Sequence, residues 1–138
     1  MKDRKAFFDT NILVYAYDVS AGAKREKALK LLEMAWNKPE KAAISAQVLQ
    51  EFYVTLVKRG LDTYEALRIV EDYAQWEVVT NDALLTLQAI KNSLRFRISF
   101  WDGLIIAAAD KAGADIVYSE DLNHSQKYSG LAVINPFA

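Results

Sequence analysis

Short apolar runs alternate with longer stretches of helical periodicity along this chain, and that alternation restricts its possible folds more than any other feature. KAFFD at Lys5–Asp9, AAIS at Ala42–Ser45, Trp76–Val79, DIVYS at Asp115–Ser119 and LAVIN at Leu131–Asn135 read as strands. Asn11–Tyr17 reads as a helical turn or two. Ala23–Asn37 reads as a longer helix, with Ala28, Leu31, Leu32, Ala35 and Trp36 at helical spacings. Ser45 caps a helix to about Arg59, stopped by Gly60. Asp62 and Glu65 form a capping-box pattern opening a helix to about Ala74. Asn81–Leu94 is amphipathic, and Ser99 opens a helix over Trp101–Ala112 that Gly113 closes. Strands separated by helices imply βαβ units, so the expected architecture is α/β: a three-layer sandwich with a central parallel sheet flanked by helices. No linker or composition shift divides the chain, and one domain over residues 1–138 is expected.

Composition narrows the functions. Seventeen basic against eighteen acidic side chains leave a net charge of −1, which excludes a nucleic-acid binder that works through bulk positive charge. The chain has no cysteine, hence no disulfide, thiolate metal site or cysteine nucleophile. Asp9 and Asn11 interrupt the apolar stretch Ala6–Tyr17, so nothing reaches the roughly 18 apolar residues of a membrane span. Acids before and inside that stretch also spoil it as a secretory signal. The expectation is a chain that begins at Met1 and stays in the cytoplasm, with no membrane association.

In doubly wound sheets ligands sit beyond the carboxyl ends of the strands. Asp9 ends the first strand, Glu51 lies early in the helix after the second, Asp102 lies in the first turn of the helix before the fourth, and Glu120 and Asp121 follow the fourth. Carboxylates gathered in one cleft repel each other unless a cation neutralises them, and an all-oxygen set suits Mg²⁺ or Mn²⁺. Such an ion clamps phosphate oxygens and acidifies bound water, the requirements of phosphodiester hydrolysis. Each acid also has a plainer explanation. Asp9 suits a turn, although Thr10 and Asn11 extend the polar run. Glu51 points away from the buried stripe of Val48, Leu49, Phe52, Tyr53, Leu56 and Val57, as a solvated glutamate does. Asp102 fits a capping box with Ser99, yet shares a face with Ile105, Ile106 and Ala109, where an unpaired charge is costly. Asp121 or Glu120 could cap a turn.

Other chemistries find less support. His124 is the single histidine and gains no role. The serines suggest no Ser-His-Asp arrangement, and no G-x-G phosphate loop occurs among the five glycines. From Ala83 to Trp101 there is no acid, while Lys91, Arg95 and Arg97 alternate with Phe96, Phe100 and Trp101. This stretch leads into Asp102 and could follow a nucleic-acid backbone; a solvated helix end with core aromatics is the competing account.

FFDTNILVYAYD, ISAQVLQEFY, SFWDGLIIAAADKAGADIVYSEDLN and LAVINPF together resemble the PIN-domain family, above all its VapC-like toxin ribonucleases. The resemblance implies that Asp9, Glu51, Asp102 and Asp121 are the acidic site residues. Asp9, Asp102 and Asp121 would hold Mg²⁺ (or Mn²⁺), with Glu51 orienting water or joining them. Asn11 and Ser119 match supporting polar positions, and Glu120 competes with Asp121 for the fourth acid. The implied activity is metal-dependent hydrolysis of RNA by the toxin of a toxin–antitoxin pair. The implied partners are RNA, a cognate antitoxin and a second copy in a homodimer, with Lys91, Arg95 and Arg97 on the RNA backbone. Two alternatives stand beside it. The Asp-Thr-Asn run faintly resembles haloacid-dehalogenase-like phosphatases, although Asn11 replaces their second Asp. A catalytically inactive binding module is the other, and the intact acidic set argues against it.

Overall fold

Cap chemistry sets where the helices begin. The Asp9 side chain accepts from the Thr10 amide and opens α1 (Thr10–Ala16), and Ser45 accepts from Val48 to open α3 (Ala46–Lys58). Asp62 accepts from both Tyr64 and Glu65 ahead of α4 (Thr63–Tyr73), Asp82 from Leu85 ahead of α5 (Ala83–Phe96), and Ser99 from Asp102 ahead of α6 (Phe100–Lys111). The remaining helix, α2 (Ala23–Asn37), follows Gly22 without a side-chain cap. Helix α5 starts after Asp82 rather than at Asn81, because the Asp82 carboxylate holds the Leu85 amide at 2.9 Å. Short 3-10 turns at Val19–Ala21 and Pro39–Lys41 flank α2. The computed structural model describes residues 4–123 and 127–138, so His124 lies outside the described residues.

The strands are β1 (Ala6–Phe8), β2 (Ala42–Ser45), β3 (Glu77–Val79), β4 (Ile116–Tyr118), β5 (Lys127–Tyr128) and β6 (Leu131–Ile134). Among the described residues they form a six-stranded sheet in the order β3-β2-β1-β4-β6-β5. Every pairing is parallel except β5 with β6, which is antiparallel. The sheet is therefore mixed at one edge rather than parallel throughout. Strand β5 escapes sequence reading because two residues show no alternation. It exists because the turn at Ser129 (φ 52°) and Gly130 (φ 89°) folds Lys127–Tyr128 back onto β6.

Successive side chains of a strand face opposite sides of the sheet. Phe7 and Phe8 are both buried, as is all of β2, so helices cover both faces. On one side α6 is buried from Gly103 to Ala109 and packs on β2, β4 and β6, with α5 laid over it. The α5–α6 approach is close because Gly103 has no side chain: a Cβ there would sit 2.5 Å from the Ala89 carbonyl oxygen. Buried Asn92 on α5 donates to the Gly103 carbonyl at 3.1 Å and fixes the crossing. Elsewhere α1 packs on α2 and α3, and α3 on α4. Phe8 meets Trp76 and Tyr118, and Trp36 of α2 meets Trp76 and Tyr73. No helix among the described residues is long and apolar enough to cross a membrane.

Candidate active site

The chain runs outward from β1 through β2 to β3, then returns to place β4 on the other side of β1. That reversal makes a crevice at the carboxyl ends of β1 and β4. Phe8 pairs with Tyr118, so the next residues, Asp9 and Ser119, lie side by side. The Asp9 amide donates to the Tyr118 carbonyl at 3.0 Å, extending the pairing by one residue. A cleft of about 430 Å³ opens there, lined by Asp9, Thr10, Asn11, Gln50, Glu51, Val54, Thr55 and Asp121.

Asp9 is buried and doubly anchored. One oxygen accepts from the Thr10 amide at 2.7 Å, the other from the Ser119 hydroxyl at 2.8 Å. Burial pushes its carboxyl up to about 6; the Ser119 and Thr10 hydrogen bonds oppose that shift, and the charges of Asp121 and Glu51 add to it. Ser119, fully buried, also accepts from the Asp121 and Leu122 amides at 3.2 and 3.3 Å. Removing its hydroxyl leaves two amides unpaired and takes a donor from Asp9. Ser119→Ala is expected to lose about 1–3 kcal/mol of stability. The same substitution should move the Asp9 carboxyl above about 6, because the lost bond favoured the charged form. Urea unfolding and a carboxyl NMR titration measure the two effects, and an unmoved Asp9 titration would contradict the coupling.

Glu51 is exposed, and the surface it is exposed to is this cleft, which it helps to line. Its Oε1 accepts from the Thr10 hydroxyl at 2.7 Å, and Gln47 Nε2, one helical turn earlier, lies 3.5 Å from its Oε2. Asn11 Nδ2 donates to Asp121 Oδ2 at 3.0 Å, across 110 positions of sequence. Asp121 therefore enters the cleft, whereas Glu120 turns away: its two oxygens accept from Tyr15 and Lys24. Asp102 stands outside the cleft lining, in the first turn of α6. Burial raises its carboxyl above the ordinary value, opposed by Ser99 and helped by the nearby charge of Asp121. Asp9 and Asp102 thus both sense Asp121. Among the described residues no three Asp, Glu or His side chains are spaced to enclose a metal ion.

Lys91, Arg95 and Arg97 do not line the cleft. They are exposed along the second half of α5 and its left-handed cap, where Arg95 donates to Ser129 and lies over Phe96. Trp101, beside Asp102, is 61% exposed. Sequence reasoning uses Thr10 and Asn11 as a polar run after β1 but gives Thr10 no task, and it passes over Gln47 and Gln50. Gln47 lies four positions before Glu51, so helical spacing could have found it. Nothing local marks Gln50.

A mostly parallel α/β sheet with a carboxylate-lined cleft at its switch point defines the class of this protein. Residues 6–129 match the family model of the PIN domain, and the chain belongs to that family. A search of curated proteins finds no match. Solved structures share the fold. VapC20 of Mycobacterium tuberculosis, a toxin that cleaves the sarcin–ricin loop, is 24% identical with a TM-score of 0.67, over 85% of this chain and 90% of that one. A toxin–antitoxin complex from Klebsiella pneumoniae is 21% identical with a TM-score of 0.70, over 96% and 98%. FitAcB from Neisseria gonorrhoeae is 19% identical with a TM-score of 0.64, over 96% and 98%.

Proposed function

We propose that this protein is an endoribonuclease dependent on Mg²⁺ or Mn²⁺, acting as the toxin of a toxin–antitoxin pair in the cytoplasm. The observation that carries this reading is the meeting of Asp9, Glu51 and Asp121, from three separate segments, around one switch-point cleft, with Asp102 in electrostatic reach of Asp121. PIN-domain membership and the toxin structures of the same fold support it.

The donor set fits a hard divalent cation. Asp9 is a carboxylate whose pKa is raised chiefly by burial, with the negative charges of Asp121 and Glu51 adding to it, an environment that a cation relieves. Mg²⁺ typically keeps several waters and takes one or two carboxylates plus substrate phosphate, so an enclosing cage of side chains is not required. Asp9, Asp102 and Asp121 are the residues that would hold it. When bound, the ion neutralises charge on the phosphate and lowers the pKa of water. Ser119 and Thr10 fix the direction of Asp9, and Asn11 fixes Asp121. Glu51, steered by Thr10 and Gln47, orients the attacking water. No side chain need form a covalent bond to phosphorus. Lys91, Arg95 and Arg97 offer charge to the RNA backbone beside α6. The partners of this reading are RNA, a cognate antitoxin and a second copy in a homodimer.

Incubation with a cellular RNA pool tests the reading. Cleavage is expected with Mg²⁺ or Mn²⁺, abolished by EDTA and restored by excess metal, and Asp102→Asn should be inactive at any metal concentration. Cleavage that persists in EDTA would refute the metal-dependent mechanism.

A further inference from the structure

Glu120 is the one acid of the Ser119–Asp121 run that the ribonuclease reading leaves without a task, yet it is firmly held. Its Oε1 accepts from the Tyr15 hydroxyl at 2.6 Å, and its Oε2 accepts from Lys24 Nζ at 2.5 Å. Lys24 lies 3.4 Å from the Tyr15 hydroxyl as well, 5.1 Å from the Tyr15 ring centre and 5.8 Å from that of Phe137. Tyr15 and Phe137 meet edge to face at 5.1 Å. The grip thus draws on α1, α2 and the segment after β6.

The held residue sits in a segment without regular secondary structure. On one side Ser119 binds the Asp121 and Leu122 amides from within the core. On the other, Asn11 holds the Asp121 carboxylate. The ladder ends at Ser119, whose amide donates to the Ile134 carbonyl at 3.1 Å, and at the next residue the Glu120 side chain adds an anchor to α1 and α2. We propose that Glu120, clamped by Lys24 and Tyr15, is a positioning residue that sets where Asp121 stands in the cleft. This rests on the ribonuclease reading. An ion pair this exposed adds little to global stability, so its loss should disturb the site more than the fold.

The test compares Glu120→Ala, Glu120→Gln, Tyr15→Phe and the wild type. Mn²⁺ affinity is read by calorimetry, kcat and KM on RNA, and amide hydrogen exchange at Asp121 and Leu122. Glu120→Ala is expected to weaken Mn²⁺ binding and lower kcat by about tenfold each, the usual cost of losing an outer-shell partner. KM should change little, and exchange at Asp121 and Leu122 should quicken while the melting temperature holds. Glu120→Gln, whose carbonyl still accepts a hydrogen bond, should recover most of the loss, and Tyr15→Phe should fall between. An active wild type whose Glu120→Ala variant matches it in Mn²⁺ affinity, kcat and local exchange overturns the clamp alone. So does a loss that tracks a general fall in melting temperature and is not rescued by Glu120→Gln. A wild type that takes up no Mn²⁺ and leaves RNA intact overturns the ribonuclease reading, and the clamp with it.

Discussion

Asp9→Asn is expected to reduce RNA cleavage by about a hundredfold or more, while making the metal-free protein more stable at neutral pH. The loss follows from removing a charged oxygen donor at the centre of the cleft. The gain follows from proton linkage. The Asp9 carboxyl titrates at about 6 in the folded chain, against an ordinary value of 3.8. Between those values the folded state binds more protons than the unfolded one, so stability falls as pH rises through this window. A shift of this size corresponds to about 3 kcal/mol of strain at neutral pH. Asparagine carries no charge to desolvate, but it recovers only part of that energy. Its carbonyl can still accept from Thr10, which turns its NH₂ towards a Ser119 oxygen that already accepts two amides. The net gain should be about 1–2 kcal/mol, after subtracting roughly one hydrogen bond. Urea unfolding in EDTA at pH 5 and pH 7.5 measures it. The wild type should lose stability between these pH values and the variant should lose much less. Equal slopes would mean that Asp9 is not held against its charge.

The second large effect concerns packing rather than charge. Gly103→Ala is expected to destabilise the protein by about 3 kcal/mol, at the upper end for overpacking. The added Cβ would lie 2.5 Å from the Ala89 carbonyl oxygen and 3.2 Å from the Ser93 amide nitrogen, both backbone atoms of α5. A flexible side chain could swing aside; a helix backbone cannot. Relief requires α6 to move away from α5, which stretches the Asn92 bond to the Gly103 carbonyl. Asp102 is the neighbouring residue and moves with α6. The same substitution should therefore weaken metal-supported cleavage beyond what unfolding removes, measured under conditions where the variant is fully folded. A variant as stable as the wild type would show that the two helices are not in hard contact.

Much of the chain's local structure was legible before any coordinates. Ser45, Asp62 and Ser99 cap helices as the sequence suggests, because a side-chain oxygen two or three residues ahead of an amide needs no distant partner. Ala23–Asn37 and Ala42–Ser45 keep their expected bounds. The position of Asp9 at a strand end was equally plain from KAFFD. Glu51 was harder. Its helix pattern says only that it avoids the core stripe, and water and a cleft look alike from that pattern. The Thr10 hydroxyl, 41 positions away, separates the two.

Adjacent acids show the same division. Glu120 and Asp121 are indistinguishable as neighbours in a polar loop, and their opposite directions come from Lys24 and Tyr15 on one side and Asn11 on the other. Strand β5 depends likewise on the turn that returns it to β6. By itself the sequence determined the alternation of strands and helices and the caps, since these follow from interactions within a few residues. Only the tertiary structure decided which acids share the cleft, which one faces away, and that Asp102 stands outside the lining. Those outcomes depend on which distant side chains the strand order brings beside each acid, and contacts between residues far apart in the chain leave no local pattern to read.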